Sequence, residues 1–183
     1  MKQPVLFTEP NSNYGVTGQF DVYDLSRNAL SYNDDIPVIA HPPCRLFSKL
    51  KAFSTAPACE KFLGIWSISL VRNIGGIVEH PLHSDLFKIM QCGVPGIPDR
   101  FGGFVLSVDL NWFGFSCRKP TGLYIVGVDY KDVPPYPLSF NAITHTISST
   151  RKSNLPEINK RFRSSTPPAL IEYLVSIINL ISK

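Results

Sequence analysis

The sequence has no long apolar run, no paired-cysteine spacing and no internal repeat, and only 17% of its 183 residues are charged. Each absence removes a class of protein. Without about 18 consecutive apolar residues, no segment is expected to cross a bilayer as a helix. The four cysteines, Cys44, Cys59, Cys92 and Cys117, lack C-x-x-C spacing, and with the four histidines they form no zinc pattern. No metal site is expected, and the cysteines read as free thiols of a reducing compartment. Met1-Lys2-Gln3-Pro4 lacks the charged-then-apolar order of a signal peptide, so the expected location is the cytoplasm.

What is present suits one packed domain over residues 1–183. A 44% hydrophobic and 11% aromatic composition can bury a sizeable core. A net charge of +4 and a pI near 8.9 allow an anionic partner without requiring one. The basic residues cluster: Arg45, Lys49 and Lys51 in one stretch, Arg151, Lys152, Lys160, Arg161 and Arg163 in another. They read either as solvated surface or as a rim that contacts phosphate. The sequence leaves a homo-oligomer open.

Val5-Leu6-Phe7 and Phe20-Asp21-Val22-Tyr23 have strand character, and Leu25 to Tyr32 reads as a short helix. Pro37-Val38-Ile39-Ala40 is an apolar run halted by Pro42-Pro43, which cannot continue a central ladder. A helix is expected from about Ala58 to Ile74, capped by Ser54 or Thr55 and ended by Gly75-Gly76. Ile77-Val78 opens the next strand. Strand, helix, strand over about 40 residues is a βαβ unit, whose two strands run parallel. Later strands are expected at Phe104–Leu110 and Leu123–Val128, and a last helix after Thr166-Pro167-Pro168. The expected fold is therefore α/β: a small, three-layer, mostly parallel sheet.

That layout brings Cys44, in Ala40-His41-Pro42-Pro43-Cys44-Arg45, to the same sheet edge as Glu79, 35 residues further on in Val78-Glu79-His80-Pro81. Ligands of open α/β sheets collect at this edge. Cysteine is the most nucleophilic side chain near neutral pH, and a carboxyl group can engage a ring nitrogen where charge develops. The pair suits attack on a pyrimidine. His41 and Arg45 are cations expected to favour a thiolate at Cys44. Trp112 and Phe113 could stack on a base or fill the core. Cys59, Cys92 and Cys117 are assigned to packing.

Pro42-Pro43-Cys44-Arg45-Leu46-Phe47-Ser48 resembles the PPCQ-x-FS motif of the DNA cytosine-5 methyltransferases. Val78-Glu79-His80-Pro81 resembles their ENV motif, Arg118 to Gly127 their Q-x-R-x-R-I-Y strand, and Ser165 to Leu170 the approach to their last helix. The resemblance implies a Rossmann-like methyltransferase core in degenerate, truncated form. It assigns catalytic roles to Cys44, Glu79, Arg45 and Arg118, and substrate contacts to His41, Pro43, Ser48, His80 and Lys119. It also implies S-adenosylmethionine, with Asp24 where the family's acidic ribose ligand stands. The family's F-x-G-x-G-G turn is absent, since Val5-Leu6-Phe7 runs into Thr8-Glu9-Pro10-Asn11, and this leaves the cofactor open. No segment is long enough for a target-recognition domain. A strand followed by HPPCR is also similar to small bacteriophage proteins, which implies the cytoplasm of a host cell.

Two functions are consistent with these residues. One is an enzyme that modifies a pyrimidine in a nucleotide or nucleic acid, with Cys44 as nucleophile and Glu79 as acid. The other is a non-catalytic protein that binds a nucleotide or nucleic acid, a role that for a phage includes sequestering a host immune signal.

Overall fold

Apolar residues alternating along short runs build the centre of the molecule. In chain order the elements are β1 (Gln3–Leu6), α1 (Asn13–Val16), β2 (Phe20–Tyr23), β3 (Val38–Ala40), α2 (Glu60–Ile74), β4 (Gly76–Pro81) and α3 (Asp85–Ile89). They continue with β5 (Phe104–Asp109), β6 (Pro120–Val126), α4 (Lys160–Arg163) and α5 (Pro168–Ile178). The computed structural model describes residues 2–9, 12–16, 18–48, 51–137, 139, 142–147 and 154–181. Lys49, Arg151 and Lys152 lie outside the described residues, as do the side chains of Lys160 and Arg161.

The strands form one sheet in the order β2-β1-β3-β4-β6-β5. Side chains alternate across it. Val5, Ile39, Ile77, Leu123 and Ile125 face one layer, where Leu170, Leu174 and Ile177 of α5 cover them. Leu6, Val38, Ala40, Val78 and Tyr124 face the other, against Ile68 and Val71 of α2. The expected α/β class and three layers are present.

The sheet is mixed: three of its five strand pairings are parallel and two are antiparallel. β2, β1, β3 and β4 pair in parallel, whereas β6 runs against both β4 and β5. The chain reaches β6 from β5 by a short connection rather than a helical crossover, so the two form an antiparallel pair. β6 then inserts between β4 and β5.

Gly75 and Gly76 turn the chain from α2 into β4 with φ of +81° and +129°. A Cβ at Gly76 would lie 2.3 Å from the Val38 carbonyl oxygen, so glycine alone permits the close β3–β4 pairing there.

Local hydrogen bonding revises three expectations. Leu25–Tyr32 holds only a 3-10 turn at Ala29–Ser31, because Asp24 and Asn28 side chains capture the amides of Ser26, Arg27 and Leu30. Ser54 bonds the Ala56 amide, and α2 starts at Glu60 with Cys59 at its cap. Cys59 is exposed rather than packed, whereas Cys117 is buried. Phe113 is in the core, and the half-buried Trp112 packs on Tyr136.

Candidate functional site

The parallel register assembles the site. Val38 pairs with Gly76, Ile39 with Ile77 and Ala40 with Val78. One step further, His41 lies beside Glu79, and its Nδ1 is 3.0 Å from Glu79 Oε2. The His41 amide donates to the Leu6 carbonyl at 3.0 Å, which ties this position to β1 as well. From α1, the Tyr14 hydroxyl reaches His41 Nε2 at 3.0 Å. The result is a continuous phenol–imidazole–carboxylate chain at the carboxyl edge of the parallel strands.

Lys119 joins from the residue just before β6. Glu79 pairs with Leu123, and alternation back through Thr121 puts Lys119 on the same face of the sheet. Its Nζ donates to the Arg163 carbonyl at 3.0 Å. The ammonium makes no ion pair with Glu79 or Cys44, yet its charge acts on both.

Electrostatics fix the protonation states. Burial pushes the Glu79 carboxyl up, but the His41 hydrogen bond and the charges of Lys119, His41 and His80 outweigh it and hold the group at about 2. Burial and the Glu79 charge push the Tyr14 phenol well up, so it stays protonated. Burial and Glu79 also push the half-buried Cys44 thiol up, against smaller opposing effects of Lys119 and Arg45. The expected cationic activation of Cys44 is thus not met: the net field on the thiol favours its protonated form.

The structure thus joins His41 to Glu79, leaves Cys44 and Lys119 within reach of the Glu79 charge, and separates others. Arg45 turns away to form a two-pronged ion pair with Glu60 in the first turn of α2. Arg118, 71% exposed, bonds Asp109 at 3.2 Å and lies on the opposite alternation from Glu79. Ser48 closes the turn after Cys44, with its amide donating to the Cys44 carbonyl. Pro43 is half-buried and its carbonyl faces His80. His80 itself is corrected as a substrate contact: alternation on β4 sends it to the α2 side, edge-on to Phe47 and Phe87 and 1% exposed.

Tyr14 was not foreseen as part of the site. A signal for it is the aromatic residue in the turn-rich connection after β1, at the edge where ligands collect.

His80 gives the protein an acid-sensitive point. Burial lowers it to about 4 from the ordinary 6.5, despite the nearby Glu79 charge and Pro43 carbonyl. The unfolded chain therefore takes up this proton at a higher pH than the folded one. Stability from the neutral ring is complete above 6.5 and is lost as pH falls toward 4, with an upper bound of about 3 kcal/mol. Urea unfolding across that window should show the decline, and His80→Leu should flatten it.

The residues after β1 do not fit S-adenosylmethionine as the resemblance implies. Phe7 occupies the left-handed region at φ +61° and packs on Trp66 at 6.0 Å. Thr8 follows, 6% exposed, so side chains fill the place where glycines would admit a ligand to the backbone. Asp24 does sit at the carboxyl end of β2, but its Oδ1 is engaged by Ser26 and Arg27. Among the described residues, no group of three or more His, Cys, Asp or Glu could hold a metal ion, and no helix is long and apolar enough to cross a membrane.

Two cavities lie elsewhere. One of about 410 Å³ is lined by Phe115, Ser116, His145, Phe162 and Ser165. Lys119 connects it to the Glu79 side, since its Nζ stands 5.8 Å from the Phe115 ring centre. The other, about 270 Å³, lies between Tyr136, Tyr173 and Leu106. Comparison of the chain with protein-family models, curated proteins and solved structures gives no match.

Proposed function

We propose that the carboxyl edge of the parallel strands takes a pyrimidine base, as a nucleotide or within a nucleic acid, and that Cys44 adds to ring carbon 6 while Glu79 engages the ring nitrogen. One observation supports this reading most: His41 Nδ1 stands 3.0 Å from Glu79 Oε2 at the carboxyl edge built by the β3–β4 register, three residues before Cys44 in the chain. The strand order supports it. The parallel strands run in the order β2-β1-β3-β4, which reverses between β1 and β3, the kind of position where open α/β sheets bind ligands. The resemblance to a truncated cytosine-5 methyltransferase core points the same way.

The step is a thiol addition. The S–C6 bond forms, the C5=C6 electron pair moves to C5, and C5 takes the proton that leaves the thiol. Reversal returns the free base, so no other reagent is consumed. Its signature is exchange of the pyrimidine H5 for solvent deuterium, read by proton NMR. The chain should catalyse this exchange, and Cys44→Ala should slow it by at least about a hundredfold. Absence of exchange with every pyrimidine nucleotide and single-stranded DNA tried would remove Cys44 as a nucleophile.

A second reading has its own observations. The thiol is held protonated, and the turn after β1 does not fit a methyl donor. These favour a pocket that binds a nucleotide without turnover, as a protein sequestering a signalling nucleotide would. On this reading Cys44→Ala leaves binding unchanged, and affinity falls with salt as phosphate contacts are screened.

A further inference from the structure

We infer that the cavity of about 410 Å³ beside α4 is a second binding site, and that its ligand is a nucleotide unit, a flat base joined to a phosphate. The site is separate from the carboxyl edge and does not depend on the pyrimidine reading. Backbone pairing holds its lining together. The amides of Thr144 and His145 both donate to the Ser116 carbonyl, at 3.0 and 3.1 Å, and the Ile158 amide donates to the Thr146 carbonyl at 2.8 Å. Separate stretches of chain around Ser116, His145 and Ile158 are thus tied side by side, and Phe162 of α4 lines the cavity with them. A cavity of this size lies in the range of small-molecule sites and is far larger than one water needs.

The surroundings are aromatic and cationic. Phe115 is buried, whereas Phe162 is 59% exposed although large and apolar. An exposed ring among basic residues suits stacking on a base, because every base offers a flat face. Lys119 Nζ lies 5.8 Å from the centre of the Phe115 ring. This half-buried ammonium donates to the Arg163 carbonyl at 3.0 Å and meets no carboxylate within ion-pair distance among the described residues. Between residues 154 and 165, Lys160, Arg161 and Arg163 stand against one acid, Glu157, which pairs with Arg163. Arg163 Nε is buried without a hydrogen-bond partner among the described residues. The Ser116 hydroxyl, in the lining, makes no hydrogen bond among them either. Uncompensated positive charge beside an open ring suits an anion joined to a flat ring. Phosphate answers that charge more fully than a carboxylate does, with a charge of about −1.5 to −2 and three acceptor oxygens.

Calorimetric titration of the chain with dAMP and with single-stranded oligo-dA of about ten nucleotides tests this. Purines keep the measurement apart from the carboxyl edge, which is read as taking a pyrimidine. Binding is expected, with an affinity that falls as salt rises. Tighter binding of the strand identifies a nucleic acid as the source of the unit, and equal or weaker binding a free nucleotide. Phe162→Ala should weaken binding by at least about tenfold, and Phe162→Trp should retain it. Lys119→Gln should weaken it too and lower the slope of affinity against salt by about one. Because Phe162 is exposed, both variants at that position should keep the urea midpoint of the unaltered chain. Failure of both probes to bind, or binding that Phe162→Ala leaves unchanged, would overturn the inference without touching the reading tested by H5 exchange.

Discussion

Asp99→Ala should lower folding stability by about 3–5 kcal/mol, the cost of stranding a buried charge whose partner is removed. Asp99 and Arg72 keep only 6% and 11% of their side chains accessible. Asp99 Oδ2 accepts from Arg72 Nη2 at 2.7 Å and from the Tyr124 hydroxyl at 2.6 Å. Its Oδ1 accepts the amides of Phe101 at 2.9 Å and Gly103 at 3.0 Å. Arg72 also donates to the Met90 carbonyl at 2.6 Å and to the Tyr124 hydroxyl at 3.0 Å, with its guanidinium 4.4 Å from the Phe101 ring centre. One carboxylate thus ties α2, β6 and the 91–103 loop together. A Cβ at Gly103 would meet the Tyr124 hydroxyl at 2.3 Å, so only glycine lets the loop approach this closely. Urea unfolding should show the midpoint falling steeply with an unchanged slope. Tyr124→Phe, which removes one hydroxyl, should cost about 1 kcal/mol. An Asp99→Ala loss below about 1 kcal/mol would contradict the network.

The sequence is readable where local chemistry decides the outcome. Pro42-Pro43 must end a strand, Gly75-Gly76 must end a helix, and the segment between them has helical periodicity. The βαβ unit and the shared edge of Cys44 and Glu79 follow from those constraints alone. β6 is different. Its apolar residues bury equally well in either direction, and its place between β4 and β5 depends on tertiary pairing that periodicity does not encode.

The same limit governs the site. His41 beside a cysteine reads as a cation that would favour thiolate. Only the pairing of Val38 with Gly76 shows that its partner is Glu79. Arg45 likewise reads as a helper of Cys44 until α2 brings Glu60 to it. Tyr14 stands on a helix of four residues, too short to leave a periodic trace, so only its place in the turn-rich connection after β1 points to it. His80 could be placed from alternation, because Glu79 and its neighbour must face opposite sides of β4.

The central claim is that Cys44 and Glu79 act at one place on the carboxyl edge of the parallel strands, and the Cys44 thiol reports on it directly. Burial pushes that thiol up, and the negative charge of Glu79 adds to the effect. Glu79→Gln removes the charge while keeping the side chain's shape. Alkylation by iodoacetamide, followed across pH with peptide mapping to separate Cys44 from the exposed Cys59, reads the thiolate fraction. The account predicts that Glu79→Gln moves the Cys44 profile to lower pH and speeds its alkylation at pH 8 by at least about threefold, with Cys59 unchanged. An identical Cys44 profile in the two proteins would contradict it.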